Sequence, residues 1–234
     1  MRIALLGYGR MGKSIEVIAL ERNHSISLKV SDKDSKYDFS NTDVAIDFSV
    51  PSVAVFNIKK AIDAGVPVIS GTTGWLDRYD EVLDYCNSKN GTFLYASNFS
   101  LGVNVFFEIN KKLSQLMAGF SEYSAEIKEI HHTKKLDAPS GTAISLAEQI
   151  IKSTNYSQWT LDKSKPNDLH IEAKRIENVP GTHEVSYDSE IDSISIKHTA
   201  HSRQGFAMGA VIAAEWIANK KGIFSMRDVL KINI

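Results

Sequence analysis

The sequence predicts an α/β chain in two parts. The first is a domain of alternating strands and helices around a parallel sheet; the second is an α+β domain with a mainly antiparallel or mixed sheet. Three observations predict it. Up to about residue 100, short apolar runs alternate with helical patterns, as βαβ units do. From residue 169 to 201, the period-two segments "LHIEAKRIE", "THEVSYDSE" and "SISIKHTAH" follow one another with no helix between them. Beyond them, helical spacing returns in "RQGFAMGAVIAAEWIANKKG". The first domain is therefore expected over 1–100 and 204–234, interrupted by the second over 101–203.

In chain order, "RIALL" is a continuous apolar run, as expected of a parallel strand covered on both faces. Gly7, Gly9 and Gly12 follow in G-x-G-x-x-G spacing at the start of a helix. Gly7 permits the tight turn, Gly9 lets a pyrophosphate approach the backbone, and Gly12 lets helix pack on strand. The free N–H groups at the helix start then meet the phosphate charge. This is a Rossmann-like dinucleotide site, with NADH and NADPH both open. Asp32, which ends "SISLKVSD", is placed to accept from an adenosine ribose, whereas Lys33 suits a ribose 2′-phosphate. The bland reading of that pair is a solvated turn.

"DVAIDFS" reads as the next strand and "VPSVAVFNIKKAIDAG" as a helix closed by Gly65. "VPVISGTTG" and "TFLYASNFS" are two further strands, each ending in a turn of small polar residues. Such turns face the ligand crevice of a parallel sheet, which puts Gly71, Thr72, Thr73, Ser97, Asn98 and Phe99 at its mouth. "GVNVFFEINKKLSQLMAGF" has helical spacing, "SAEIKEIHH" alternates as a strand, and "SGTAISLAEQIIKS" returns to helix. Residues 153–168 are polar and aperiodic, a surface excursion. The last long helix is expected to end at Gly222 and to pack back on the first domain, followed by a short helix in "FSMRDVL".

Lys plus Arg number 27 and Asp plus Glu 28, for a net charge of −1, which argues against a general nucleic-acid binder, since that needs a basic face, but leaves room for a local basic pocket. The one cysteine, Cys86, leaves no internal disulfide. No apolar run approaches the roughly 18 residues of a membrane span, and the apolar start is too short for a signal peptide. A cytoplasmic protein with neither a nucleic-acid nor a membrane partner is expected.

The chemistry is concentrated in "EIHHTKKLDAPSGTA", residues 129–143. Pro139 disfavours helix at Ala138, and Ser140 then caps a helix whose start, at Gly141 and Thr142, exposes backbone N–H donors: a carboxylate seat. Lys134 and Lys135 bring positive charge, and His131 and His132 can move protons near neutral pH. Such a set suits a small carboxylated substrate whose reduction needs a proton. Adjacent strand residues point to opposite faces, so one histidine at most faces a given pocket. No metal is expected, because no paired histidine spacing is present. On the same fold, an amino-acid or aldehyde dehydrogenase and a non-catalytic dinucleotide sensor remain alternatives.

Together, "GRMG", "IDFS", "GTTG", "NFSLGVN", "EIHHTKKLDAPSGTA", "SRQGFAMGAVIAAEWI" and "MRDVL" closely resemble the 4-hydroxy-tetrahydrodipicolinate reductase (dihydrodipicolinate reductase) family, in the family's order and over nearly the whole chain. The resemblance implies NAD(P)H-dependent reduction of a cyclic dicarboxylate in lysine and diaminopimelate biosynthesis, by a homotetramer built through the second-domain sheet. It implies that His131 and Lys135 are the proton-handling pair and that His132, Ser140, Gly141 and Thr142 contact substrate. It also implies Arg203 as a further carboxylate partner. It assigns Gly7, Tyr8, Gly9, Arg10, Met11, Gly12, Asp32, Lys33, Gly71, Thr72, Thr73, Ser97, Asn98 and Phe99 to the cofactor. The glycine turn is one residue shorter than the usual family form, and only eleven residues separate Asp32 from Val44.

Overall fold

The computed structural model describes residues 1–31, 36–162, 167–202 and 204–232; Asp32, Lys33 and Arg203 lie outside the described residues. The chain divides into two units, Met1–Leu101 with Gln204–Ile234, and Gly102–Arg203. The first opens with strand β1 (Arg2–Leu6), helix α1 (Arg10–Glu21), β2 (Ser25–Val30), β3 (Val44–Asp47) and α2 (Pro51–Asp63). Then come β4 (Val68–Ser70), α3 (Tyr79–Ser88) and β5 (Thr92–Tyr95). Every residue of β3 and β4 is buried, because helices cover both faces of these strands. Pro51 sits in the first turn of α2, where its missing N–H costs nothing, and Gly65 follows that helix at φ +70°.

The second unit carries α4 (Leu101–Met117), β6 (Ser124–His131), α5 (Gly141–Ser153), β7 (Trp159–Thr160), β8 (Leu169–Arg175), β9 (Gly181–Asp188) and β10 (Ser193–Ala200). Their sheet runs β10-β9-β6-β8-β7. It is mixed: β10/β9 and β9/β6 are antiparallel, whereas β6/β8 and β8/β7 are parallel. The three consecutive strands are not all neighbours, because β6 pairs between β8 and β9. A parallel β6/β8 pair needs a crossover, and α5 lies in that connection. Ala143, Leu146, Ala147 and Ile150 of α5 cover Ile127, Leu169, Ile171 and Val185. The excursion after α5 contains the two-residue β7, and residues 163–166 lie outside the described set.

The chain then returns through α6 (Gln204–Ile217), β11 (Gly222–Phe224) and α7 (Met226–Val229), completing an all-parallel sheet in the order β11-β5-β4-β3-β1-β2. Ile3 and Leu5 pack with Ile15 and Ile18 of α1 and with Ala207, Ala210 and Ala214 of α6. Ala4 and Leu6, of opposite parity, pack with Ala54 and Ile58 of α2 and with Val82 of α3. The small residues of α6 allow close approach; a Cβ on Gly209 would stand 1.7 Å from the carbonyl oxygen of Phe99. The expected end of this helix at Gly222 is corrected. The helix stops at Ile217, and Gly222, at φ +119°, opens a strand beside β5. A three-residue strand is too short to show an alternation.

Candidate active site

Strands β2 and β3 lie on opposite sides of β1, so the chain reverses its direction of sheet growth there. Crevices at such switch points hold ligands at the C-terminal strand ends. The turn after β1 is shaped by its glycines. Gly7 has φ +94°, its N–H donates to Val30 O at 3.0 Å, and a Cβ would stand 2.2 Å from Phe48 O. A Cβ on Gly12 would stand 2.3 Å from Gly7 O, whereas one on Gly9 would meet nothing within 4 Å. Helix α1 has no acid in its first turn. Its unpaired N–H groups and positive end thus meet open space over Gly9, which fits a pyrophosphate. Arg10 is exposed and Met11 half-buried beside it. Tyr8 is fixed: its hydroxyl donates to Glu16, and Lys29 Nζ lies 4.8 Å from its ring centroid.

Asp47, which ends β3, is fully buried and escaped the sequence reading. Its Oδ1 accepts from Ser49 Oγ at 2.6 Å and Asn57 Nδ2 at 3.3 Å; its Oδ2 accepts from Ser70 Oγ and Thr72 Oγ1, both at 2.8 Å. Burial pushes the Asp47 carboxyl above its ordinary range, and these donors pull the other way. The sequence places Thr72 at the crevice mouth, among the residues expected to meet the cofactor. The structure gives its hydroxyl to Asp47 and, as acceptor, to Ser49 N at 2.9 Å. Phe99 is likewise buried, with its ring centroid 5.6 Å from that of Phe48. Gly71 is half-buried; a Cβ there would stand 2.3 Å from the Phe48 ring. Thr73 and Ser97 are exposed, and Asn98 Oδ1 accepts from Ser100 N at 2.9 Å.

Asp47→Asn keeps the shape but exchanges one twice-used acceptor for a donor. It is expected to cost about 1–3 kcal/mol of stability and to weaken pyridine-nucleotide binding by loosening the loop at Thr72. Urea denaturation and a fluorescence titration with NADH check this; unchanged values in both would show that no carboxylate charge is needed there.

In the second unit, alternation along β6 puts Ala125, Ile127, Glu129 and His131 on the face covered by α5. Register does the rest: Glu129 lies opposite His183 on β9, and His131 opposite Arg175 on β8. Ser140 caps α5, its Oγ accepting from Ala143 N at 3.2 Å. The first turn of α5 contains no acid, Gly141 is exposed with open space on its Cβ side, and Thr142 is half-buried. Ser140 N donates to Glu129 Oε2 at 3.0 Å. The helix start and the histidine strand are thus tied through one carboxylate.

Lys135 Nζ lies 2.8 Å from the Asp137 carboxylate, and this hydrogen bond holds the Asp137 carboxyl below its usual range. His131 is buried, and desolvation lowers its pKa. The positive charges of Lys135 and Arg175 add to that, while Glu129 and Asp137 oppose it. Burial takes His183 down to about 3, so its ring is neutral. The His131 and His183 rings meet edge to face, with centroids 5.0 Å apart. His132 faces away and lines a separate cleft with Lys134, Glu177 and Pro180.

Of the residues singled out in the sequence, His131, Lys135, Ser140, Gly141 and Thr142 are gathered in this unit, whereas His132 is not turned toward His131. Glu129, Arg175 and His183 were missed. The parity of "SAEIKEIHH" already carried a signal for Glu129, which falls between Ile127 and His131. Among the described residues, Glu129, His131 and His183 bring ligand atoms within 4.8 Å of one another, a spacing that admits a metal ion. Both Glu129 oxygens are already engaged by cationic or amide donors, so Glu129 reads as a hydrogen-bonded carboxylate with the two imidazoles beside it.

Comparison with known proteins agrees at both ends of the chain. Residues 1–99 match the family model described as dihydrodipicolinate reductase, N-terminus, and residues 102–230 the model described as dihydrodipicolinate reductase, C-terminus. A 4-hydroxy-tetrahydrodipicolinate reductase of Christiangramia forsetii is 55% identical over 233 residues, covering 98% of each chain. One from Methanosarcina acetivorans is 36% identical over 97% of this chain and 88% of that one. In fold, the chain is similar to a dipicolinate-bound dihydrodipicolinate reductase from a Paenisporosarcina species. That likeness has TM-score 0.77 and 20% identity, covering 96% of this chain and 97% of that one. Matched by both models and by a relative of such identity, the chain belongs to the dihydrodipicolinate reductase family.

Proposed function

We propose that this chain reduces 4-hydroxy-tetrahydrodipicolinate to tetrahydrodipicolinate in lysine and diaminopimelate biosynthesis, with His131 and Lys135 handling the proton. The chain is an oxidoreductase whose cofactor is a pyridine nucleotide, and we assign NADH and NADPH as alternative donors. The observation that carries the reading is the coupling, through Glu129, of a buried histidine to an acid-free, capped helix start.

Loss of water from the 4-hydroxy substrate gives a conjugated C=C–C=N system. Gly7–Gly12 would hold the pyrophosphate of the nucleotide, which when bound would supply the hydride that this system accepts. The N–H groups at Gly141 and Thr142 seat a substrate carboxylate, so orientation and charge stabilisation come from one structure. A proton from His131, backed by the Lys135 ammonium, quenches the resulting anion at carbon. Gly71, Thr73, Ser97 and Asn98 complete the nucleotide side, with Thr72 acting through Asp47. Among the described residues, no helix is long and apolar enough to cross a membrane. A cytoplasmic homotetramer belongs to the same proposal. It is built on the open face of the mixed sheet, where Lys128, Glu172 and Lys174 form a charged ladder. Light scattering should give four times the chain mass.

The test is a coupled assay. Pyruvate, aspartate semialdehyde and the preceding synthase generate the unstable substrate, and absorbance follows oxidation of NADH and NADPH separately. Oxidation that requires the synthase product is expected. Folded protein that binds nucleotide yet oxidises none would overturn the reading.

A further inference from the structure

One buried charge is left unused by the proposed reduction: the carboxylate of Glu129, which is 0% exposed. A carboxylate at this depth persists only if it is paired and hydrogen-bonded. Its Oε1 accepts from Arg175 Nη2 at 3.1 Å. Its Oε2 accepts from Ser140 N at 3.0 Å and faces His131 Nδ1 at 3.4 Å and His183 Nε2 at 3.7 Å. Arg175 Nη2 also donates to Asp137 O at 2.6 Å, so the same guanidinium holds the loop that carries Lys135. His183 Nε2 lies 3.0 Å from Ser140 Oγ. Proton carrier, cationic loop and helix start are thus fastened at one carboxylate.

We propose that Glu129, with His183 as its cross-strand partner, positions His131 for proton transfer by holding the Nδ1–H toward Oε2 and leaving Nε2 as the exchanging nitrogen. Two independent features point this way. His131 Nδ1 is buried and off the line of any hydrogen bond, with Glu129 Oε2 as its carboxylate neighbour. On the other side, a Cβ at position 181 would stand 3.2 Å from Nε2, and that position is Gly181, which keeps the approach to Nε2 clear. The groups facing His131 are Glu129 on its own strand, Lys135 and Asp137 in the following loop, Arg175 at the end of β8, and His183 on β9. Of the two anions, Asp137 is exposed and engaged by Lys135, so the buried Glu129 sets the ring's proton. In the transfer, the Nε2–H bond of the imidazolium breaks as a C–H bond forms on the substrate anion. The ring is left neutral, with its Nδ1 proton still facing Glu129.

This inference rests on the reading of His131 as the proton carrier, and its test separates the two. Glu129→Gln keeps the shape and removes the charge that favours the imidazolium. Its kcat at about pH 8 is expected to fall about tenfold or more, tenfold being one pKa unit. The alkaline limb of its kcat profile should move toward acid by that unit, while KM for the dicarboxylate changes little. Glu129→Asp should restore part of the limb. A profile superimposed on the wild type would overturn the positioning role, as would activity lost to a chelator and restored by zinc. Should the glutamine variant fail to fold, wild-type protein labelled with ¹⁵N-histidine gives the answer directly. Long-range ¹H–¹⁵N spectra are expected to show neutral His131 as the Nδ1–H tautomer, and the Nε2–H tautomer would refute the proposal. The expected tautomer in a protein that turns over no substrate would count against the reduction and in favour of the geometry.

Discussion

His131→Ala is expected to lower kcat by about 10²–10⁴-fold, the usual worth of a positioned acid or base, with a much smaller change in KM for the dicarboxylate. The reason is a separation of tasks within one unit. In the proposed mechanism the carboxylate seat is made of backbone N–H groups at Gly141 and Thr142; the Ser140 cap and Ser140 N on Glu129 hold that helix start, and none of these needs the imidazole. Removing the ring therefore removes an interaction used only as the proton moves, and such a loss appears in kcat and kcat/KM together. Lys135→Ala should behave differently. Its ammonium is the partner of Asp137 at 2.8 Å and, in the proposed mechanism, a cation that draws the dicarboxylate, so its loss should raise KM as well as lower kcat. Steady-state kinetics on synthase-generated substrate, with NADH affinity and thermal melting as controls, separates the two patterns. An unchanged kcat in the folded His131 variant would remove that residue from the mechanism.

The parallel half of the fold was legible because its strands are apolar throughout and its helices are separated by turn residues. The glycine turn was legible for a stronger reason: at Gly7 and Gly12 only the absence of a side chain fits, and spacing alone records that. What escaped has a common cause. Strand β11 carries three residues, too few for a pattern, and takes its place only by pairing with β5. Asp47 ends a continuous apolar run and Glu129 lies inside an apolar alternation, and a lone acid in either place reads as an interruption until its donors arrive from elsewhere. For Asp47 these come from α2 and the end of β4; for Glu129 they come from β8 and the start of α5. His183 lies far along the chain from His131, and only the β6/β9 register makes them neighbours. The direction of the Thr72 hydroxyl is not legible in the sequence, because it depends on a buried carboxylate.

Acid should destabilise the native chain well above the pH at which its salt-bridged carboxylates titrate, and His183 should be the main cause. Its ring is neutral in the folded protein, with the pKa pushed down from 6.5 to about 3 by burial and by the charges of His131, His198 and Lys135. The sign follows from linkage. Once unfolded, the ring takes up a proton below about pH 6.5, while the native state refuses it until about pH 3. The stability it contributes is therefore complete above the unfolded value and is lost as pH falls through that window. Each unit removes up to about 1.4 kcal/mol, on the order of 5 kcal/mol across the whole gap. His131, also lowered, acts in the same direction. Lowered carboxyls such as Glu81, at about 2, begin to count only below their unfolded value of 4.5. Asp47, whose pKa is raised, acts oppositely, but it is common to both proteins in a comparison with His183→Gln. Urea midpoints measured from neutral pH down to about pH 5 should thus fall steeply for the wild type and less steeply for His183→Gln, by more than about 1 kcal/mol per unit at full effect. Parallel slopes would mean that His183 already carries a proton in the native state, in which case the Glu129 carboxylate would face a charged His183 at 3.7 Å.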